Sequence, residues 1–420
     1  MSLASLNSSI SASETQAIIE ALAAKVRFNY VLQDKADAIA KAIETALAEG
    51  KYENLTGEKL SEAVTSDLRS VNGDKHLKLV FSPKHVIEEE PPKDLTKKYN
   101  SDGDEVDDEG KVVEQEGSAV VDANMLSFHE FCSYNGHGVA GVEILPGNIG
   151  FLTLTMIGPP GLVEPFWASA MTLLQHTNAI IVDLRKNSGG AGSGGLLSYF
   201  MSGRKHYKSM FWVPENVTSK DYTLETVSGP RYNDSNPDTP KRPVYILTSS
   251  KTFSSAEAFT FFMLDLELGQ TVGETTSGGG HPCAFVRAGH DHFEASISVG
   301  RTFSPKTGLG WEKIGVPPTV PCAAGDAKDV AHLLCLKTVE ARLAALQPPA
   351  LTKAMAKLLP TVEEVRKSLD AKVGHATRAA GTPVKKTTTT TTTTTKSLSP
   401  QGLLTTTTKS SIITDYQNIA

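Results

Sequence analysis

Two short apolar runs constrain this chain most: Ala179-Ile180-Ile181-Val182-Asp183-Leu184 and Val244-Tyr245-Ile246-Leu247-Thr248. Neither alternates apolar and polar residues, so neither can keep one face in water. Strands of this kind belong inside parallel sheets that helices cover on both sides. Each run leads through small residues into a helical pattern, at 194–201 after the first and 255–266 after the second. A strand at 149–156 precedes a helix at 162–175 that carries Val163, Phe166, Trp167, Ala170, Met171 and Leu174 on one face. Further strands are expected at 271–273, 285–286 and 293–299, and a closing helix at 326–346. The expected fold class is α/β, built from repeated strand–strand–helix units.

The segment before this core reads as three helices. Residues 14–30 place Ile18, Ile19, Leu22, Ala23 and Val26 at helical spacing behind a Ser13 cap. Residues 35–48 repeat the pattern and stop at Gly50. Thr56 opens a third helix through Leu60, Val64 and Leu68. The domain expectation is a helical domain over 1–75, a core over 76–346 with an acidic loop at 88–117, and a low-complexity tail over 347–420. The tail holds an unbroken threonine run at 387–395 and is expected to lack fixed structure past about Asp370, because it buries too little apolar area to offset its ordering entropy.

A net charge of −6 over 420 residues argues against binding nucleic acid by phosphate neutralisation. No apolar stretch reaches the ~20 residues that span a bilayer. No signal peptide is visible, which sets a cytoplasmic expectation, while sequons at Asn54, Asn216 and Asn233 are compatible with secretion. The four cysteines, Cys132, Cys283, Cys322 and Cys335, form no C-x-x-C pair, so no zinc site is expected, and free thiols are preferred to a Cys322–Cys335 disulfide. Asp102-Gly-Asp104 resembles part of a calcium loop, but Val106 breaks the pattern. No metal and no cofactor are expected.

Four segments carry candidate chemistry. Thr252-Phe253-Ser254-Ser255-Ala256-Glu257 lies between a buried strand and a helix. It reads as a capping box with Glu257 reaching back, or as a serine nucleophile at a helix N-terminus, and the two are compatible. The glycine-rich stretch 187–195 matches G-x-G-x-x-G literally, but no acidic residue ends a following strand at the required spacing. It also suits an oxyanion hole, where backbone N–H groups approach a carbonyl closely. Asp74-Lys75-His76 and the stretch 310–318 around Glu312 read, each alone, as a helix-end histidine and a surface loop.

Taken together and in this order, these segments resemble the tail-specific (C-terminal processing) serine peptidase family, in the branch related to interphotoreceptor retinoid-binding protein. The resemblance rests on D-x-H, V-D-L-R-x-N-x-G-G, T-F-S-S-A-E, G-E-T-T-x-G-G and W-E-x-x-G-V-x-P. It implies a ClpP/crotonase-like core and hydrolysis of protein or peptide substrates. Members with a Ser–Lys dyad have lysine where this chain has Gly279, so that chemistry is not expected. A second branch uses serine, histidine and glutamate. By that resemblance Ser254 is the nucleophile, His76 the general base and Glu312 the acid supporting it. Ser255, Gly189 and Gly190 are the oxyanion donors, and His281 is the rival base. The alternative implied by the same branch is an inactive carrier of retinoids or fatty acids.

Overall fold

A computed structural model describes residues 9–82, 98–99, 105–106, 130–190, 193–201, 206–213, 216–223, 230–233, 241–304, 306–345, 353–379, 385–398 and 404–417. The Asp102-Gly-Asp104 stretch and most of the acidic loop lie outside them. What is described of that loop is a two-strand pairing of β2 (Lys98–Tyr99) with β3 (Glu105–Val106).

Three helices open the chain: α1 (Ala12–Asn29), α2 (Gln33–Ala48) and α3 (Gly57–Ser70). The apolar spacing placed all three. Ser11, rather than Ser13, caps α1: its hydroxyl accepts from Glu14 N–H while the Glu14 carboxylate accepts from Ser11 N–H. The helices do not close a core among themselves. Ile18, Leu22, Ile39 and Leu60 pack with Leu79 of β1 (Lys78–Phe81) and with Phe293, Ala295 and Ile297 of β12 (Phe293–Ser298). Strand β12 lies between β1 and β11 (Cys283–Arg287), antiparallel to both. The helical segment therefore shares its core with strands that come more than 200 residues later.

The second core is the expected α/β one. Six strands run in the order β14-β10-β9-β6-β5-β4: Val320–Pro321, Gln270–Gly273, Val244–Thr248, Ala179–Asp183, Ile149–Leu154 and Val139–Leu145. All neighbours are parallel except β4 and β5. Ile180, Val182, Val244 and Ile246 enter one cluster with Trp167 and Met171 of α4 (Pro160–Leu174), Leu196 of α5 (Ser193–Ser198) and Phe259 of α6 (Ser255–Asp265). The alternate positions Ile181 and Leu247 are equally buried, and α7 (Ala327–Ala345) packs against β6, β9 and β10. Helices on both faces are what the unbroken apolar runs demanded. Antiparallel β4 was not anticipated, nor was the β13-β7-β8 sheet of Gly300–Phe303, His206–Val213 and Asn216–Thr223.

Helix α8 (Lys353–Ala379) extends past Asp370 and contains Pro360. Beyond it, β15 (Lys385–Leu398) pairs antiparallel with β16 (Leu404–Gln417). Threonine is β-branched, and its stiff χ1 favours extended backbone. The chain divides into a unit over Met1–Asp370 and another over Ala371–Ala420. All four cysteines are free.

Candidate active site

The loops that follow β6, β9 and β10 meet at the carboxyl ends of those strands, where open α/β sheets place their ligand crevices. Thr252 Oγ1 donates to Leu184 O at 2.9 Å, and Ser249 Oγ to Arg185 O at 2.6 Å. Phe253 N–H donates to Asn187 O at 3.1 Å and Ser277 N–H to Thr252 O at 2.9 Å. These bonds lock the three loops into one wall.

Ser254 stands at the foot of α6 with φ 54° and ψ −123°. A positive φ on a non-glycine residue costs about 1–3 kcal/mol and persists only where its surroundings enforce it. A sharp strand-to-helix turn of this kind presents a side chain outward instead of folding it over the helix end. Ser254 Oγ lies 3.0 Å from Nε2 of His76, a residue 178 positions earlier. The imidazole is buried and stacks on Phe253, with ring centroids 4.6 Å apart. Its backbone N–H donates to Asp74 Oδ1 at 2.9 Å, so the aspartate two residues before sets the turn that aims it.

Asp74 is fully buried and is the hub of the site. Its Oδ2 accepts from Tyr30 Oη at 2.9 Å and lies 3.0 Å from His281 Nδ1. Burial by itself would raise its pKa; the bond and charge of His281, with help from Ser298 and the His76 N–H, hold it well below the usual carboxylate range. Asp74 opens the D-x-H motif and carries no role in the sequence expectation; the spacing alone permits an aspartate to accept the backbone N–H two residues on, and its burial comes from the fold.

Glu312 lies beside His281. Its Oε2 accepts from Gly280 N–H at 2.7 Å and lies 3.8 Å from His281 Nδ1. His76 Nδ1 is buried and has no hydrogen-bond partner among the described residues, so Glu312 does not bond to it directly. Burial raises the Glu312 pKa and the charge of His281 opposes that rise. His281, the rival base, is occupied by Asp74, and the bond to Ser254 belongs to His76. Asp74, His281 and Glu312 bring ligand-type atoms within 4.8 Å of one another. Within the group, His281 Nδ1 is in hydrogen-bond contact with Asp74 Oδ2, while Glu312 Oε2 stands beyond hydrogen-bond reach of it at 3.8 Å.

Burial pushes the His76 pKa down to about 4, against the upward pull of the Asp74 charge. The ring is therefore neutral at physiological pH, as a proton acceptor must be. Gly189 packs directly on the nucleophile: with φ +97°, a Cβ there would come within 2.6 Å of Ser254 Cβ. Its N–H, however, donates to Asn187 Oδ1 at 2.9 Å, which removes it from the expected set of oxyanion donors. Ser255 Oγ donates to Gly190 O at 2.6 Å and fixes the orientation of that residue's carbonyl beside the nucleophile.

Residues 148–322 match the model of peptidase family S41, and residues 10–109 match the N-terminal domain of that family in eukaryotic IRBP. Similar solved structures include a lipoprotein from Streptococcus agalactiae, at 14% identity and TM-score 0.47 over 79% of this chain and 96% of that one. The photosystem II D1 C-terminal processing protease is 17% identical, with TM-score 0.40 over 74% and 94%. Mature CPAF is 13% identical, with TM-score 0.44 over 77% and 97%. Among the described residues no helix is long and apolar enough to cross a membrane. The two matched segments take in both the helical layer that delivers His76 and the sheet that delivers Ser254, and the chain belongs to the tail-specific serine peptidases of family S41, in the branch with the IRBP-type N-terminal domain.

Proposed function

We propose that the protein is a serine endopeptidase that hydrolyses peptide bonds of protein or peptide substrates through an acyl-enzyme on Ser254. The observation that carries this reading is the 3.0 Å contact between Ser254 Oγ and His76 Nε2. His76 accepts the hydroxyl proton at Nε2 as Oγ attacks the scissile carbonyl carbon. The resulting imidazolium returns that proton to the leaving amine. A water, deprotonated in turn by His76, then hydrolyses the ester and frees Ser254.

The developing oxyanion is met by the N–H of Ser255, at the positive end of α6, and by the N–H of Gly190. Asp74 is the near carboxylate, and its charge favours the imidazolium form of His76. Glu312 completes a Ser–His–Glu type arrangement at one remove, across His281. A strained backbone at the serine has no use in an inert carrier of retinoids or fatty acids, which favours hydrolysis over that alternative.

The test is covalent. A fluorophosphonate is expected to add to Ser254, as located by peptide mass, and to leave folded Ser254→Ala unmodified. Absence of the adduct on the folded wild-type chain would remove the proposal.

The rate of labelling should also report His76. Below about pH 4 the imidazole is protonated and cannot take the proton, so the rate falls as pH drops through about 4 and is level from there towards neutrality. A midpoint near 6.5, the ordinary imidazole value, would contradict the buried environment described for this ring.

A further inference from the structure

Glu257 lies one turn into α6 and its side chain is fully buried. Four donors converge on its carboxylate. Ser254 N–H and Gly279 N–H reach Oε2 at 2.9 and 2.7 Å. The Thr276 hydroxyl and Gly278 N–H reach Oε1 at 2.5 and 2.6 Å. A helix cap accounts for the first of these bonds. The other three come from the loop after β10, a separate piece of chain.

The groups held this way are those whose relative position decides catalysis. Ser254 carries the strained φ. Gly279 backs the imidazole so closely that a Cβ there would lie 2.8 Å from His76 Cε1 and 2.2 Å from Phe253 Cε2. The next residue, Gly280, donates to Glu312. One carboxylate thus ties the backbone of the nucleophile to the wall behind the base. Three backbone N–H groups and a hydroxyl directed at the two oxygens match a carboxylate, while burial raises the Glu257 pKa and the four hydrogen bonds oppose that rise. A buried charge is a poor device for stability alone, since a neutral group of the same shape avoids its desolvation.

We infer that Glu257 is a positioning residue of the peptidase, whose carboxylate sets the approach of Ser254 to His76 by clamping both sides of the site. The inference rests on the roles proposed for those two residues. Glutamine is a discriminating replacement. Two donors point at each carboxylate oxygen, so whichever oxygen becomes an amide nitrogen confronts donors with donors. The shape is preserved and one side of the clamp is lost.

The experiment compares full-length wild type and Glu257→Gln in fluorophosphonate labelling over a range of probe concentrations, together with thermal unfolding. The limiting labelling rate is expected to fall on the order of 10²-fold, with the apparent KI of the probe and the melting midpoint close to wild type. An unchanged limiting rate overturns the inference. So does a smaller labelled fraction that reacts at the wild-type rate, because that is the signature of a purely structural role. Both outcomes leave the nucleophile assignment standing, whereas a folded wild type that takes no label removes both. If Glu257→Gln does not fold, Thr276→Val and Thr276→Ser replace it. The valine variant, lacking one of the four donors, should label severalfold more slowly than the serine variant, and equal rates overturn the inference.

Discussion

Substituting His76 with alanine is expected to slow acylation of Ser254 on the order of 10⁶-fold, the scale on which serine hydrolases lose rate when their base is removed. The size of the effect follows from what remains. A serine hydroxyl is a weak nucleophile until a base takes its proton. Among the described residues no other base is in position: the Nδ1 of His281 is turned to Asp74, and position 279 is a glycine. The three carboxylates nearby, Asp74, Glu257 and Glu312, each accept from donors of their own. Stopped-flow or discontinuous labelling at neutral pH measures the change directly. A loss smaller than tenfold would mean that some other group deprotonates Ser254, and the assignment of His76 would have to be abandoned.

Gly279→Ala is expected to produce the second-largest effect, a fall in acylation rate on the order of 10²-fold, from a single methyl group that touches no substrate. The added carbon would sit 2.2 Å from Phe253 Cε2 and 2.8 Å from His76 Cε1. Neither ring can retreat cheaply, because each is stacked on the other and the Phe253 backbone is bonded to Asn187. Relief must come from moving the imidazole away from Ser254 or the loop away from Glu257. Overpacking of this kind also costs about 1–3 kcal/mol of stability, which urea unfolding would register alongside the rate. Wild-type labelling in a folded Gly279→Ala chain would show that the loop has slack that the packing denies.

The same contact explains a feature that the sequence presented only as a missing residue. Any side chain at 279 would compete with the His76 imidazole for one volume beside Ser254. The sequence shows the glycine and the histidine, 203 positions apart, and nothing in their spacing relates them. Their exclusion of one another becomes visible only when β1 and the loop after β10 are packed together.

Much of the architecture was nevertheless legible. The runs at Ala179 and Val244 required a covered parallel sheet, and the spacing of Ile18, Leu22 and Val26 required a helix with one buried face. Both are local consequences of where apolar residues fall along a period of 2 or 3.6. The residues of β4, four of seven half buried and the other three exposed, lack a clean pattern, and β13 depends on β7, a partner distant in sequence, while β8 pairs with the neighbouring β7.

Within the site, the resemblance of the ordered motifs to the family is what nominated Ser254 and His76, since each segment alone reads as a helix cap or a helix-end histidine. Which carboxylate serves which imidazole is a matter of a few ångströms, and folding decided it: Asp74 took the His281 ring and the backbone N–H of His76, Glu312 was turned towards His281, and Gly189 spent its N–H on Asn187. Hydrogen bonds discriminate over distances far shorter than the displacement that a loop can introduce, so composition and spacing determine the kinds of groups available, and only the packed chain determines their pairing.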